Sequence, residues 1–332
     1  MDNFVNLFYA AVLAGAPLLY GTLGEILTEK SGNLNMGVEG MMYMGAIGGL
    51  STIYFCEMYM GSMTNQLLCL LLAVAGSFIC GALGALIFSF LTITLRANQN
   101  VTGLTLTIFG TGFGNFFGEI IGSRSASKYM TISTEAKAAF ANHNLLPFLA
   151  NSDNHLLLSL NKMFFGYNWL IYLGVVIAVV MAWVLNRTRI GLNLRAVGES
   201  PATADAAGIN VERYKYLATI IGGGICGIGG GYISLVISNG VWVNSCVNGK
   251  GWIAVALVIF AVWSPSRALM GSLVFGGLSI MRFYIPLGIP MELYDTLPYV
   301  ATIIVLIFTS VKQTKEHAQP AHCGLNYFRE ER

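Results

Sequence analysis

The stretch from Gln66 to Thr94, QLLCLLLAVAGSFICGALGALIFSFLTIT, contains no Asp, Glu, Lys or Arg. A helix crosses the hydrocarbon core of a bilayer with about 20 apolar residues, so an uncharged run longer than that reads as a membrane span. Eight more apolar stretches accompany it: Phe4–Leu27, Leu34–Cys56, Val101–Ile121, Asn168–Asn186, Tyr216–Ser238, Gly251–Trp263, Ala268–Ile285 and Pro298–Ser310. The Gly251–Trp263 run is too short to cross as a straight helix. It either extends back past Lys250 or is half of a broken helix. The expected fold is all-α, a polytopic membrane protein of about nine transmembrane helices, some of them broken.

The whole chain agrees with this reading. Of 332 residues, 55% are apolar and only 10% are charged, where a soluble protein carries about 25% charged residues. That composition excludes an ordinary soluble enzyme, a disordered chain and a nucleic-acid binder. The net charge of +2 is too small to indicate a polyanionic partner. Met1-Asp2-Asn3 offers no basic leader region, so the first span is expected to be retained. The six cysteines form no CxxC pair and read as small apolar core residues. His317, His322 and Cys323 make an incomplete ligand set, so no metal is expected.

Basic residues set the orientation. With the 187–215 loop in the cytoplasm and alternate spans crossing, twelve of the 18 Lys and Arg fall on the inner side: Lys30, Arg96, Arg187, Arg189, Arg195, Arg213, Lys215, Arg267, Lys312, Lys315, Arg329 and Arg332. The N-terminus is then outside and the C-terminus inside. Residues 1–315 form one transmembrane domain with a polar outside loop over 122–167 and a charged inside loop over 187–215. Residues 316–332 make a polar, flexible tail.

Small residues recur at four-residue spacing within the spans. Gly110, Gly114, Gly118 and Gly122 form one such stripe, Ala73, Ser77, Gly81, Ala85 and Ser89 a second, and Gly223, Gly227 and Gly231 a third. Each stripe lies on one helix face and predicts close helix packing. The Gly222-Gly223-Gly224 cluster is no phosphate loop, because no Lys-Ser/Thr follows it.

Polar residues inside the spans are fewer and more informative. Glu39 lies just within a span; it either caps a broken helix or lines a solute pathway. Asn33 and Asn35 either bond freed backbone groups or donate to a solute. Asn98-Gln99-Asn100 opens the fourth span as a cap or as a polar wall. Asn35, Glu39, Asn98 and Asn100 are therefore the candidate pathway residues. Glu25 and Arg282 sit at membrane edges, where snorkelling and function are not separable by sequence. Ser31–Gly40 is faintly echoed by Asn244–Gly251, each opening an apolar run, as an inverted repeat would give.

In the inside loop, Ser200-Pro201 is a helix start, Ala202 to Ala207 a short helix of small residues, and Gly208 a stop. Such a helix suits the groove of a partner, against the alternative of a simple loop.

At this point the chain resembles a known family. The run Arg189–Ile209, RIGLNLRAVGESPATADAAGI, is similar to the coupling loop of importer permeases that serve simple sugars, nucleosides and branched-chain amino acids in ATP-binding-cassette systems. Glu29–Met42, EKSGNLNMGVEGMM, is similar to that family's amino-terminal signature. Gly251–Ala256, Trp263-Ser264-Pro265 and Gly271 to Gly276 are similar to its carboxy-terminal one, and the likeness covers about residues 20–310. The Asn-Met-Gly-Val-Glu-Gly form resembles the nucleoside-type branch most.

The resemblance implies a permease subunit without catalytic activity of its own, in the plasma membrane of a bacterium. It implies two permease subunits, in this branch usually different paralogues, and an extracytoplasmic solute-binding lipoprotein that delivers the small-molecule solute. ATPase subunits would hold ATP and magnesium, leaving this chain without a cofactor. Gly191, Arg195, Gly198, Glu199, Pro201, Asp205, Ala206 and Gly208 would form the ATPase-coupling region, with Pro201–Gly208 as the docking helix. Several relatives begin with an extra inside-starting span; this chain begins with the span before Glu25, so nine spans and an outside start are expected. The 122–167 loop matches nothing in the family and either meets the binding protein or is filler. The alternative function is an ion-coupled secondary transporter of a small polar solute, which would need a relay of buried carboxylates. Glu25 and Glu39 are thin support for one. An intramembrane enzyme would need a Ser/His or metal set within the spans, and His143 and His155 fall outside them.

Overall fold

The computed structural model of the chain describes residues 2–61, 65–125, 128–146, 155–285, 288, 290–311 and 319–328. Each of the nine apolar stretches contains a helix, with non-helical residues at the edges of some, as at Leu34 to Gly37 and Ala261 to Trp263. The first four are α1 (Asp2–Lys30), α2 (Val38–Met60), α3 (Gln66–Ser89) and α4 (Gln99–Arg124). Short helices α5 (Thr134–Ala138) and α6 (His155–Phe164) follow in the 122–167 loop. Then come α7 (Trp169–Arg187), α8 (Arg189–Glu199), α9 (Pro201–Ala206) and α10 (Val211–Tyr232). The chain continues with α11 (Lys250–Phe260), α12 (Pro265–Ile280) and α13 (Met291–Val311). Both α3 and α10 end in a π-helical turn, over Phe90–Thr94 and Ile233–Ile237. Among the described residues the only extended pairing is a single bridge between Thr131 and Val241.

Among the described residues, five helices are long and apolar enough to cross a membrane: Asn3–Lys30, Gln66–Thr94, Gln99–Arg124, Trp169–Arg187 and Val211–Ile237. The α11 helix has 11 residues, about 16 Å of rise, too short to cross alone. It starts at Lys250 and is separated from α12 by a turn in which Val262 and Trp263 take φ of 52° and 51°. Of the two sequence readings, the broken helix is the one observed.

α10 is buried without interruption from Gly222 to Tyr232 and α2 from Val38 to Leu50, so these two form the centre. In contrast, α3, α4 and α7 bury one face and expose the other, with Ile79, Leu83, Ile108, Phe116, Val179 and Trp183 outward. Such an apolar exterior suits lipid.

The small-residue stripes are where the central helices meet. A Cβ on Gly227 of α10 would lie 2.3 Å from the Ser77 carbonyl oxygen of α3, and one on Gly45 of α2 would lie 2.2 Å from the Gly227 Cα. A Cβ on Gly110 of α4 would lie 2.3 Å from the Gly40 oxygen of α2. With no side chains between them, these backbones reach contact, which in lipid supplies the packing attraction that a hydrophobic force cannot.

The described part of the 122–167 loop is packed. Met130, Ile132, Ala136, Ala139 and Phe140 are buried in one cluster with Tyr167 and Trp242. The Trp242 amide donates to the Met130 oxygen at 2.8 Å and the Ile132 amide to the Gly240 oxygen at 3.1 Å. The loop therefore clamps the segment leading from α10 to α11.

Candidate functional site

Between α1 and α2 the chain leaves helical geometry over residues 31–37, and freed backbone groups need partners. Glu25, fully buried in α1, bonds one of them and the side chain beside it. Its Oε1 accepts from the Asn35 amide and its Oε2 from Asn35 Nδ2, each at 3.1 Å. Asn35 Oδ1 accepts from the Gly37 amide at 2.9 Å. One turn on, Glu29 accepts from the Trp263 indole. Asn33 Nδ2 donates to Thr219 Oγ1 of α10 at 2.9 Å. A buried polar cluster thus joins α1, the α1–α2 loop and α10. Glu25, which the sequence left between snorkelling and function, is buried against the loop and does not snorkel.

Glu39, 5% exposed, reaches across to α11. Its Oε1 accepts from the Gly249 amide at 2.8 Å and its Oε2 from the Gly251 amide at 2.6 Å. A carboxylate at a helix start satisfies orphan amides and opposes the helix dipole. Gly249 has φ of +80°, and a Cβ on Gly251 would sit 2.5 Å from Glu39 Cα, so both glycines are needed for the approach. The two echoing stretches of sequence are therefore in contact, with Glu39 as the cap of the broken helix.

The structure brings Asn35 and Glu39 into the buried region, while Asn98 and Asn100 are exposed. Asn98 caps α4, accepting from the Val101 amide at 3.1 Å. Between the two lies Gln99, 3% exposed, whose Oε1 accepts from the Leu34 amide at 2.7 Å. Gln99 was missed because helix phase is unreadable at a cap.

The 187–215 loop folds into two helices and a turn. Thr188 caps α8 by accepting from the Gly191 amide at 3.2 Å. A Cβ on Gly191 would lie 2.2 Å from the Val184 oxygen, so α8 lies directly on α7. Leu194 and Val197 face inward; Arg195 and Glu199 are exposed. Gly198 abuts the α1–α2 loop, where a Cβ would lie 2.4 Å from the Lys30 oxygen. Ser200 Oγ caps α9 at the Thr203 amide, with Pro201 in the first turn. Gly208, at φ +82°, ends it, and the Ile209 amide returns to the Ala204 oxygen at 3.0 Å. Pro201 and Ala204 are buried, while Ala202, Thr203, Ala206 and Ala207 face out. Asp205 Oδ2 accepts from the Tyr327 hydroxyl at 2.9 Å. Beside α9 lies a notch of about 290 Å³, lined by Arg96, Asp205, Gly208, Asn210, Glu212 and Tyr327 among others. The short helix expected over this stretch is present, capped at both ends, with a face of small side chains turned outward.

A family profile described as the branched-chain amino acid transport system / permease component matches residues 6–306. The chain belongs to this permease family. It is similar along nearly its whole length to several named permeases of ATP-binding-cassette (ABC) transporters. TsgC13 of Haloferax volcanii, provisionally named a glucose ABC transporter permease, is 34% identical over 352 residues, covering 99% of each chain. The nucleoside ABC transporter permease NupC of Lactococcus lactis is 31% identical, covering 98% of each. The guanosine ABC transporter permease NupQ of Bacillus subtilis is 32% identical, covering 90% of this chain and 89% of that one. As a member of this permease family, the chain is a multi-pass membrane subunit of an ABC transporter.

Proposed function

We propose that this permease imports a nucleoside or a related sugar-containing solute across the plasma membrane of a bacterium. The observation that carries the reading is α9, a capped helix with a small-residue outer face, presented by a chain of this permease family. An ATPase subunit on the cytoplasmic side receives α9 in a groove; ATP binding displaces it and shifts the permease between inward-open and outward-open states. A paralogous permease completes the pathway, and an outside binding protein delivers the solute. The nucleoside class is supported by likeness to NupC and NupQ, each full-length or nearly so.

The test is ATP-dependent uptake of labelled guanosine by the transporter reconstituted with its ATPase, second permease and binding protein. Replacing Pro201–Gly208 by a glycine–serine linker of equal length should abolish uptake while membrane insertion persists. Unchanged uptake would remove the coupling role.

A further inference from the structure

Residues 319–328, at the chain's end, are packed against the end of the bundle that bears α8 and α9. The His322 amide donates to the Gly198 oxygen at 3.1 Å, and the Gly324 amide to the Gly32 oxygen at 3.3 Å. The Ala321 amide donates to Glu199 Oε2 at 3.2 Å. Asn326 Nδ2 donates to the Arg96 oxygen at 2.6 Å, and Gln99 Nε2 donates to the Leu325 oxygen at 3.4 Å. The Arg96 guanidinium carbon lies 4.7 Å from the centre of the Phe328 ring. Tyr327 packs its ring against the cluster of Val197, Ala204 and Val211 while its hydroxyl holds Asp205.

These contacts have two ends. One end grips α9 through Tyr327 and Asp205, on the side where Ala204 is buried. That leaves Ala202, Thr203 and Ala206 open, so the tail does not cover the outward face of α9. The other end grips Gly32 in the α1–α2 loop and Gln99, which itself holds the Leu34 amide. Leu34 adjoins Asn35, the residue bonded to Glu25. A continuous chain of hydrogen bonds and packed rings therefore runs from α9 to the buried polar cluster.

We propose that residues 319–328 are a strut that carries displacement of α9 to the α1–α2 loop, with Tyr327 and Asn326 as its positioning residues. The tail then belongs to the transmission between ATPase and solute pathway. The proposal deepens the importer reading and rests on it for the source of the displacement; the docking of the tail does not. A six-residue helix buries little surface of its own, and rigid contacts on its inner side are what let a push on its outer side travel further.

The experiment uses the full chain bound to its ATPase and second permease, compared with a chain ending at residue 318 and with the variants Tyr327→Phe and Asn326→Ala. Amide hydrogen exchange is followed over residues 31–37 and 197–209, with and without a non-hydrolysable ATP analogue. In the intact chain both segments should respond to nucleotide. In the truncated chain the 197–209 response should persist while the 31–37 response falls about fivefold or more, the low end of a typical coupling between sites. Tyr327→Phe and Asn326→Ala should each give part of that loss, and they carry the test if the truncated chain does not insert. An undiminished response at 31–37 overturns the strut. So does loss of the ATPase itself, which would make the tail a docking element. Labelled guanosine moved per ATP hydrolysed is measured in parallel. Absence of ATP-driven uptake by the intact transporter counts against the importer reading alone and leaves the exchange result standing.

Discussion

A carboxylate bonded to two amides of a distant helix start fixes that start in space, and Glu39 does this for α11 across more than 200 residues of sequence. Glu39→Ala leaves the Gly249 and Gly251 amides without acceptors in a buried site. The expected loss is about 1–3 kcal/mol, read as a lower thermal unfolding temperature in detergent. Glu39→Gln keeps one acceptor oxygen and should lose less; equal losses for the two variants would contradict the capping role. Glu39 was legible in the sequence as an interior carboxylate, and its partner segment only as an echo of its own motif. The burial of Glu25 and its bond to Asn35 were not legible, because counting along a span says nothing of which residues the loop beyond it folds back to meet. Asn98 and Asn100 were chosen over Gln99 for the same kind of reason. At the first turn of a helix the apolar period has not begun, so nothing indicates which polar residue faces in.

The elements make two contrasts testable. On α9, Ala206 is exposed and Ala204 is 3% exposed. Ala206→Glu should preserve folding and abolish retention of the ATPase subunit in a pull-down, whereas Ala204→Glu should prevent accumulation of the folded chain. Retention by Ala206→Glu would show that this face is not the docking surface. At the centre, a Cβ on Gly227 meets backbone oxygen at 2.3 Å, while one on Gly112 of α4 meets nothing within 4 Å. Gly227→Ala should therefore cost about 1–3 kcal/mol through overpacking, and Gly112→Ala should be neutral or stabilise by about 0.5–1 kcal/mol. Thermal unfolding of the two variants side by side decides this; equal stability would refute the backbone contact. Both features were readable in advance, because helix caps and four-residue spacings are local patterns.

Across the whole molecule the tail connects regions far apart in sequence, and its docking has a predicted pH dependence. Burial, and then the positive charge of Lys215 on α10, hold the His322 imidazole below its usual pKa. Above about pH 6.5 both docked and released tails are neutral at this position, and pH has no effect there. As pH falls through that value the released tail takes up a proton before the docked one does, so docking weakens until the docked pKa is passed. Protease cleavage within 319–328 should be faster at about pH 5.5 than at about pH 8, and His322→Gln should flatten the difference. A difference that survives in His322→Gln would assign it to another group. No feature of the sequence marks this docking. Residues 319–328, QPAHCGLNYF, have no helical or strand period, and are held by backbone amides and single side chains that no pattern marks.

The glycine-lined centre has a consequence for where this permease can change shape. Glycine has no χ angles, so the meeting of α2, α3 and α10 around Gly45, Gly81 and Gly227 has no alternative rotamers to exchange among. A contact with a single way to be made holds or separates; it does not reshuffle. Any change of shape in this permease is therefore expected in the irregular segments on either side: the 31–37 loop, the π-helical turns and the break between α11 and α12.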